Sequence, residues 1–474
     1  MKKSVFKLIM LVVIFHSSAV LAQVEENYSE AQIIGDLIVA INAEDSAALD
    51  EFILKYVKNE DGAAFTKSRM ERFMAITGGV DYKGIYKAEN PVDNETILKV
   101  IGENYNLPRT LFLVYESSLK QSLREVDFGL YRKVDQPISE ESMLQEVRVL
   151  IENLSEKDLF SGAVLIAKKD RILFTQAVGE ASKRFHIKNR IDTKFNLGSM
   201  NKMFTSLSIM KMVEKGQLDL DETIDSYLDE SWLPMSITKQ VTIRHLLTHS
   251  SGLGSYFNPT FFGSSRDKFI NLEDYKPLIS NETLAFVPGE RFQYSNTGMF
   301  LLGVILEKVS GKDYYSFVRE EIFEPLGMEN TDSYRMDHPV ENLAIGYSKA
   351  DNELGYENNI LKHVLRGGPA GGGFSTVEDL HNYALALTNE KIVGKPLLEM
   401  MWKDYYNTNN YGYGFKVEDY DNEKVVGHSG GFYGISADLS IFTRSGYITV
   451  VLSNYEGGEQ VAHKLTHMLL SVAD

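Results

Sequence analysis

The chain has 474 residues, 43% of them hydrophobic and 11% aromatic, enough for a large core and for two or three domains. It contains no cysteine, which excludes disulfides, thiolate nucleophiles, lipid attachment at a leader cysteine and cysteine zinc sites together. A formal net charge of −17 sets it against phosphate backbones and anionic lipid, so nucleic acid is not an expected partner.

Met1-Lys2-Lys3, an apolar stretch from Leu8 to Phe15 and small residues leading to Ala22 follow the order of a secretory signal peptide, cut after Ala22. Its apolar part is shorter than the roughly 20 residues of a bilayer span. No later stretch reads as a transmembrane helix. The expected product is exported to a periplasm or the medium, with no stable membrane span once residues 1–22 are removed.

Residues 23–136 read as a small α+β module. Helical patterns at Ala31 to Asn42, Ser46 to Tyr56 and Phe65 to Ile76 come before strand-like runs at Glu95 to Gly102, Thr110 to Tyr115 and Ser122 to Lys133. No convergent catalytic set falls in it, so it is expected either to bind a protein partner or to pack on the rest of the chain. Asp135-Gln136-Pro137 reads as a linker, with Ser139 and Ser142 as caps of the next helix.

Residues 137–474 read as a second α+β domain. Ser161 to Ala167 and Arg171 to Thr175 form a predicted hairpin. Val425 to Gly427, Ile435 to Phe442 and Tyr447 to Leu452 are strand-like, and Gln460 to Ser471 is helical. Strands at both ends around a helical middle imply one antiparallel sheet carrying a helical insert, with any site where the two meet.

Three elements carry chemistry. Ser199-Met-Asn-Lys202 opens a helical pattern that runs to Lys215 and stops at Gly216. Serine and lysine three apart share a helix face, and a neutral lysine can take the serine proton. Ser-x-x-Lys occurs six times in the chain, however, and a solvated lysine is the ordinary meaning of any one copy. Tyr294-Ser295-Asn296 precedes an apolar helix from Met299 to Val309. A tyrosine beside a cation can move protons, and Asn296 offers a donor and an acceptor to an amide; the plainer reading is a helix start capped by Asn296 or Thr297. Gly427-His428-Ser429-Gly430-Gly431 lies between two strand-like runs, where a turn is the plainer reading. Its glycines also permit a substrate to lie against a strand edge, with the Gly431 N–H beside that of Ser199 as an oxyanion hole.

Taken together and in this order, the three elements resemble the class C β-lactamase and D-alanyl-D-alanine carboxypeptidase family of penicillin-recognising serine hydrolases. Further matches are Phe195-Asn-Leu-Gly198, Leu246-Leu-Thr-His-Ser-Ser-Gly-Leu253, Phe323-Glu-Pro-Leu-Gly-Met328 and Pro369-Ala-Gly-Gly-Gly-Phe-Ser-Thr376. The resemblance spans Phe160 to Leu470 and implies that family's fold. It further implies an acyl-enzyme on Ser199, proton transfer by Lys202 and Tyr294, acyl orientation by Asn296, substrate and oxyanion contacts from His428, Ser429, Gly430 and Gly431, and no metal or organic cofactor. The implied substrate is a small molecule or peptide: a short acyl ester, a D-amino-acid peptide or a β-lactam-like amide. Where the β-lactamases of the family carry a fixed lysine charge, this chain has His428, which is largely neutral near pH 7. That shifts weight towards esters and D-amino-acid substrates. A slowly acylating binding or sensor protein on the same fold is the alternative. His245 with His249, and His463 with His467, have metal-like spacing but lack the Glu of His-Glu-x-x-His, so caps and helix surfaces are expected there.

Overall fold

The structure, a computed structural model, describes residues 28–86, 92–131, 137–350, 355–406, 410–420 and 423–472. The expected leader, residues 1–22, and the expected domain boundary near residue 136 lie outside the described residues.

In the N-terminal region, helices α1 (Glu30–Asn42), α2 (Ser46–Tyr56) and α3 (Glu60–Thr77) each begin on a residue whose side chain accepts an otherwise unpaired N–H: Ser29, Asp45 and Asn59. They pack on an antiparallel meander of β1 (Val80–Tyr86), β2 (Glu95–Gly102), β3 (Leu107–Tyr115) and β4 (Leu123–Leu130). Leu37, Phe52 and Phe73 from the helices meet Leu98 and Leu111 from the sheet in one core. Strand β1 escapes the sequence pattern because Gly84, at φ +118°, sits at a register shift that breaks the period of two.

Beyond it, α4 (Glu140–Glu156) starts on a Ser139 cap and leads into the hairpin β5 (Gly162–Lys168) and β6 (Arg171–Val178). After the helical middle, which contains α5 (Asn201–Glu214), α6 (Asn296–Ser310) and α7 (Val377–Thr388), come β7 (Lys416–Tyr420), β8 (Glu423–Phe432), β9 (Ile435–Phe442), β10 (Tyr447–Ser453) and α8 (Gly458–Leu470). One six-stranded antiparallel sheet results, in the order β7-β8-β9-β10-β5-β6. Val450 pairs with Leu165 where the C-terminal strands meet the N-terminal hairpin.

Alternating side chains divide this sheet into two apolar faces. Ala163, Leu165, Leu439 and Val450 join the core of α5, α6 and α7, whereas Val164, Ile166, Phe442 and Val451 join that of α4 and α8. Each of the valine, leucine, isoleucine and phenylalanine side chains contributes about 1.5–3 kcal/mol on burial. Tyr105 and Leu107 of the N-terminal region belong to the second core, and Lys464 Nζ on α8 donates to the Asn106 carbonyl at 2.7 Å. Arg109 on β3 donates to Gln460 on α8. Among the described residues, no helix is long and apolar enough to cross a membrane.

The glycine-rich element Gly427–Gly431 is not a connection between strands but lies within β8; the turn falls at Tyr433-Gly434, where Gly434 has φ +63°. Its glycines serve close approach. A Cβ on Gly427 would lie 1.8 Å from the Leu439 carbonyl oxygen, and one on Gly430 1.9 Å from that of Leu197.

Candidate active site

Ser199 sits in a 3-10 turn, Gly198–Met200, just ahead of α5, not inside the helix. Gly198 takes φ +50°, and a Cβ there would lie 2.9 Å from the Gly431 nitrogen, so only glycine fits. Asn196 accepts from the Gly198 N–H through Oδ1 at 2.9 Å and donates to the Gly372 carbonyl at 3.3 Å. Gly372 N donates back to the Gly198 carbonyl at 3.0 Å, and Leu197 N to that of Gly373 at 2.7 Å. The Gly371-Gly-Gly373 run is therefore a bend wound against the nucleophile turn.

One turn into α5, Lys202 is fully buried. Its Nζ lies 3.1 Å from Ser199 Oγ, 2.9 Å from Asn296 Oδ1 and 2.5 Å from the Ala370 carbonyl. No carboxylate balances the amine, and burial lowers its pKa to about 7. An amide oxygen and a carbonyl only accept, so a neutral Lys202 gives its two hydrogens to Asn296 and Ala370 and turns its lone pair to the Ser199 hydroxyl.

Asn296 is free for this contact because Ser295 caps α6, its Oγ accepting from Gly298 N. The sequence reading placed that cap one or two residues later. The amide nitrogen of Asn296 donates to Ser255 Oγ at 3.2 Å. Lys202 Nζ also lies 4.9 Å from the centre of the Tyr294 ring. Tyr294 exposes 39% of its surface, but its hydroxyl end is enclosed: burial raises the phenol above its ordinary pKa, against a hydrogen bond with Ser199 that lowers it. Of the base and acid roles open to a tyrosine beside a cation, the raised phenol favours the acid.

The five residues of the glycine element divide between two faces. A Cβ on Gly430 would come 2.9 Å from Ser199 N, while one on Gly431 would meet nothing nearer than 3.9 Å. His428 faces the same way but is buried behind the site, with no open edge for a substrate. Its Nδ1 lies 2.5 Å from the Ser429 carbonyl and therefore carries the hydrogen, so Nε2 accepts from the Tyr411 hydroxyl at 2.9 Å. Burial, then the charges of Lys202 and Lys416, push its pKa well below the usual value. Ser429 turns to the opposite face, where Lys416 Nζ donates to its hydroxyl at 2.6 Å and Asp438 is its partner across the strands. Period-two alternation thus removes the Ser429 side chain from the expected substrate contacts.

A cleft of about 550 Å³ opens over Ser199. Its lining includes Gly198, Gly371, Gly372 and Gly431 on the nucleophile side, and Tyr256, Phe257, Phe261, Val364, Phe432 and Ile435 on the other. Phe257 and Phe432 stack across it with ring centres 5.7 Å apart. No lining residue is an acid, a lysine or an arginine, and burial lowers the pKa of His363, the one imidazole among them. Ala370 lies in the Pro369–Thr376 segment that the sequence singles out, though without a role, and Tyr411 belongs to the aromatic group Tyr405, Tyr406, Tyr411, Tyr413 and Phe415, which the sequence leaves open between pocket lining and packing. His245 proves to be a capping residue, accepting from Thr242 N. Among the described residues no group of three metal-ligating side chains comes together.

Comparison with known proteins gives the family and the fold. The family profile described as Beta-lactamase matches residues 147–473. Penicillin-binding protein 4* of Bacillus subtilis is 32% identical over 331 residues, which cover 66% of this chain and 72% of that protein. A penicillin-binding protein from Bacillus halodurans superposes with a TM-score of 0.61 at 27% identity, over 69% of this chain and 98% of that one. A D-stereospecific amidohydrolase from Streptomyces sp. shares the fold, with a TM-score of 0.57 at 24% identity over 69% of this chain and 98% of that one.

Proposed function

The chain belongs to the beta-lactamase family of penicillin-recognising serine hydrolases, and from that membership we propose that it cleaves uncharged, apolar esters or amides through an acyl-enzyme on Ser199. The observation that carries this reading is the buried Lys202 amine, held without a counter-ion at hydrogen-bond distance from the Ser199 hydroxyl. Lys202 takes the hydroxyl proton as Ser199 Oγ bonds to the substrate carbonyl carbon. The N–H groups of Ser199 and Gly431 receive the oxyanion. As the tetrahedral species collapses, the Tyr294 phenol gives its proton to the departing oxygen or nitrogen and is refilled from the Lys202 ammonium. Water then repeats the sequence in place of the leaving group and frees the acid.

The cleft supports the substrate class. A neutral, aromatic-lined pocket rewards an apolar acyl group by area buried, at about 25 cal/mol per Å². With His428 neutral and enclosed, no cation stands ready for a substrate carboxylate, which weighs against carboxylate-anchored penicillins and for alkyl or aryl esters and N-acylated D-amino-acid amides, in line with the D-stereospecific amidohydrolase among the similar structures. Export after cleavage at Ala22 belongs to the same reading, supported by the order of basic, apolar and small residues.

The test is steady-state release of nitrophenol from butyryl and hexanoyl esters, with fluorophosphonate labelling beside it. Turnover and labelling are expected in the wild type and absent in Ser199→Ala. A single burst without turnover would instead identify a sensor.

A further inference from the structure

Tyr294 is fastened to the fold from an unexpected quarter. His249 lies at the end of the short helix Ile243–Leu247, is fully buried, and takes the left-handed backbone conformation at φ +55°, which is costly for an imidazole residue. Its carbonyl accepts from Gln293 N at 2.8 Å, and its Nδ1 accepts from Ser295 N at 3.1 Å. One residue thus holds the N–H groups on both sides of Tyr294. Its ring lies 4.4 Å from that of Tyr294 and 4.7 Å from that of Tyr411, centre to centre. Because Nδ1 accepts, the hydrogen sits on Nε2, which has no partner in the interior. A strained backbone and an unsatisfied buried donor both work against stability, and such costs persist where the surrounding structure fixes a functional geometry.

We propose that His249 is a positioning residue for proton transfer, clamping the backbone on either side of Tyr294 and backing its ring so that the phenol stays on the Ser199–Lys202 axis. The left-handed turn is what makes the double grip possible, since it lets the carbonyl and the imidazole of one residue face the same neighbouring segment. His249 does not line the cleft and makes no hydrogen bond to Ser199. It acts through Tyr294, and its role rests on the proton transfer proposed above.

The closing experiment compares His249→Gln, which fills the space but withdraws the acceptor near the backbone, with His249→Asn, which tolerates a left-handed φ and places an amide oxygen near the Nδ1 position. His249→Gly, free of strain and of acceptor, serves if the Gln variant does not fold. The acceptor-less variant is expected to lose about thirty- to a hundredfold in kcat with KM little changed, and His249→Asn to recover most of it. In a cycle with Tyr294→Phe, the double variant is expected to be no slower than Tyr294→Phe alone, because both changes remove one function. Amide hydrogen exchange at Ser295 should speed up in the acceptor-less variant and not in His249→Asn. Losses that multiply in the cycle, an Asn variant as slow as the others, or unchanged exchange at Ser295 would each overturn the clamp. Failure of the hydrolase reading has a separate signature, turnover that survives Ser199→Ala, and it leaves the exchange result standing.

Discussion

The two faces of strand β8 put burial to opposite uses. Towards the nucleophile, Lys202 is enclosed without a counter-ion and its pKa falls to about 7, so it becomes neutral as pH rises. Towards α8, Asp438 is half-buried, and burial raises its pKa to about 7 against the opposing charge of Lys416, so it becomes charged as pH rises. Folding is penalised by a charged Lys202 below pH 7 and by a charged Asp438 above it, which gives the two faces opposite stability slopes. Burial alone therefore does not make a catalytic group. A base needs enclosure together with a hydroxyl in reach, and Ser199 stands 3.1 Å from Lys202, while Asp438 meets only Ser440, at 2.8 Å, and its strand neighbours.

The most severe way to break this contrast is Lys202→Met. Without the base, kcat for a nitrophenyl ester is expected to fall by roughly a thousandfold or more, with the fold retained by circular dichroism. Next comes the pH profile. In the wild type kcat/KM should rise with pH through about 7 as Lys202 loses its proton, and Asp438→Asn should leave that limb where it is. A limb that moved with Asp438 would mean that the two faces are coupled.

Adjacent glycines sharpen the contrast structurally. Gly430→Ala drives a Cβ into the Leu197 carbonyl and should cost about 3 kcal/mol or more, whereas Gly431→Ala, facing open space, should stay within about 1 kcal/mol in urea unfolding. Apart from the near-neutral Gly431→Ala, the smallest effect belongs to Asp438→Asn. Its folded pKa lies above the unfolded value of about 4, so the wild type loses stability as pH rises from 4 through 7. The variant should flatten that loss by about 1–2 kcal/mol, read as the difference between urea midpoints at pH 5 and pH 8.

Ser199, Lys202, Tyr294 and Asn296 were legible because each carries a short local signature and the four stand in a telling chain order. The hairpin β5–β6 and the helices of the N-terminal region were legible from periodicity, though α3 starts five residues earlier than the pattern suggests, on its Asn59 cap. Other features depend on partners far along the chain. Glycines at 427, 430 and 431 suggest a turn until Leu197 and Leu439 are known to press on 430 and 427. Ser429 looks like part of the site until the strand is extended through it and alternation turns the side chain away. His249 stands in a segment that the sequence singles out, yet its role, like that of Tyr411, is set by partners far along the chain, Ser295 and His428.

The order in which the molecule is synthesised gives the β5–β10 pairing a last consequence. Ser199 and Lys202 emerge early, but the strand they lie against contains Gly430 and Gly431, and β10, which ties that strand and β9 to the hairpin, emerges later still. Such distant pairings form slowly and cannot precede translation of both partners. A nascent chain broken off before residue 430 holds a serine and a lysine and no anvil for them, so chemical competence waits for β8 to β10 to be made.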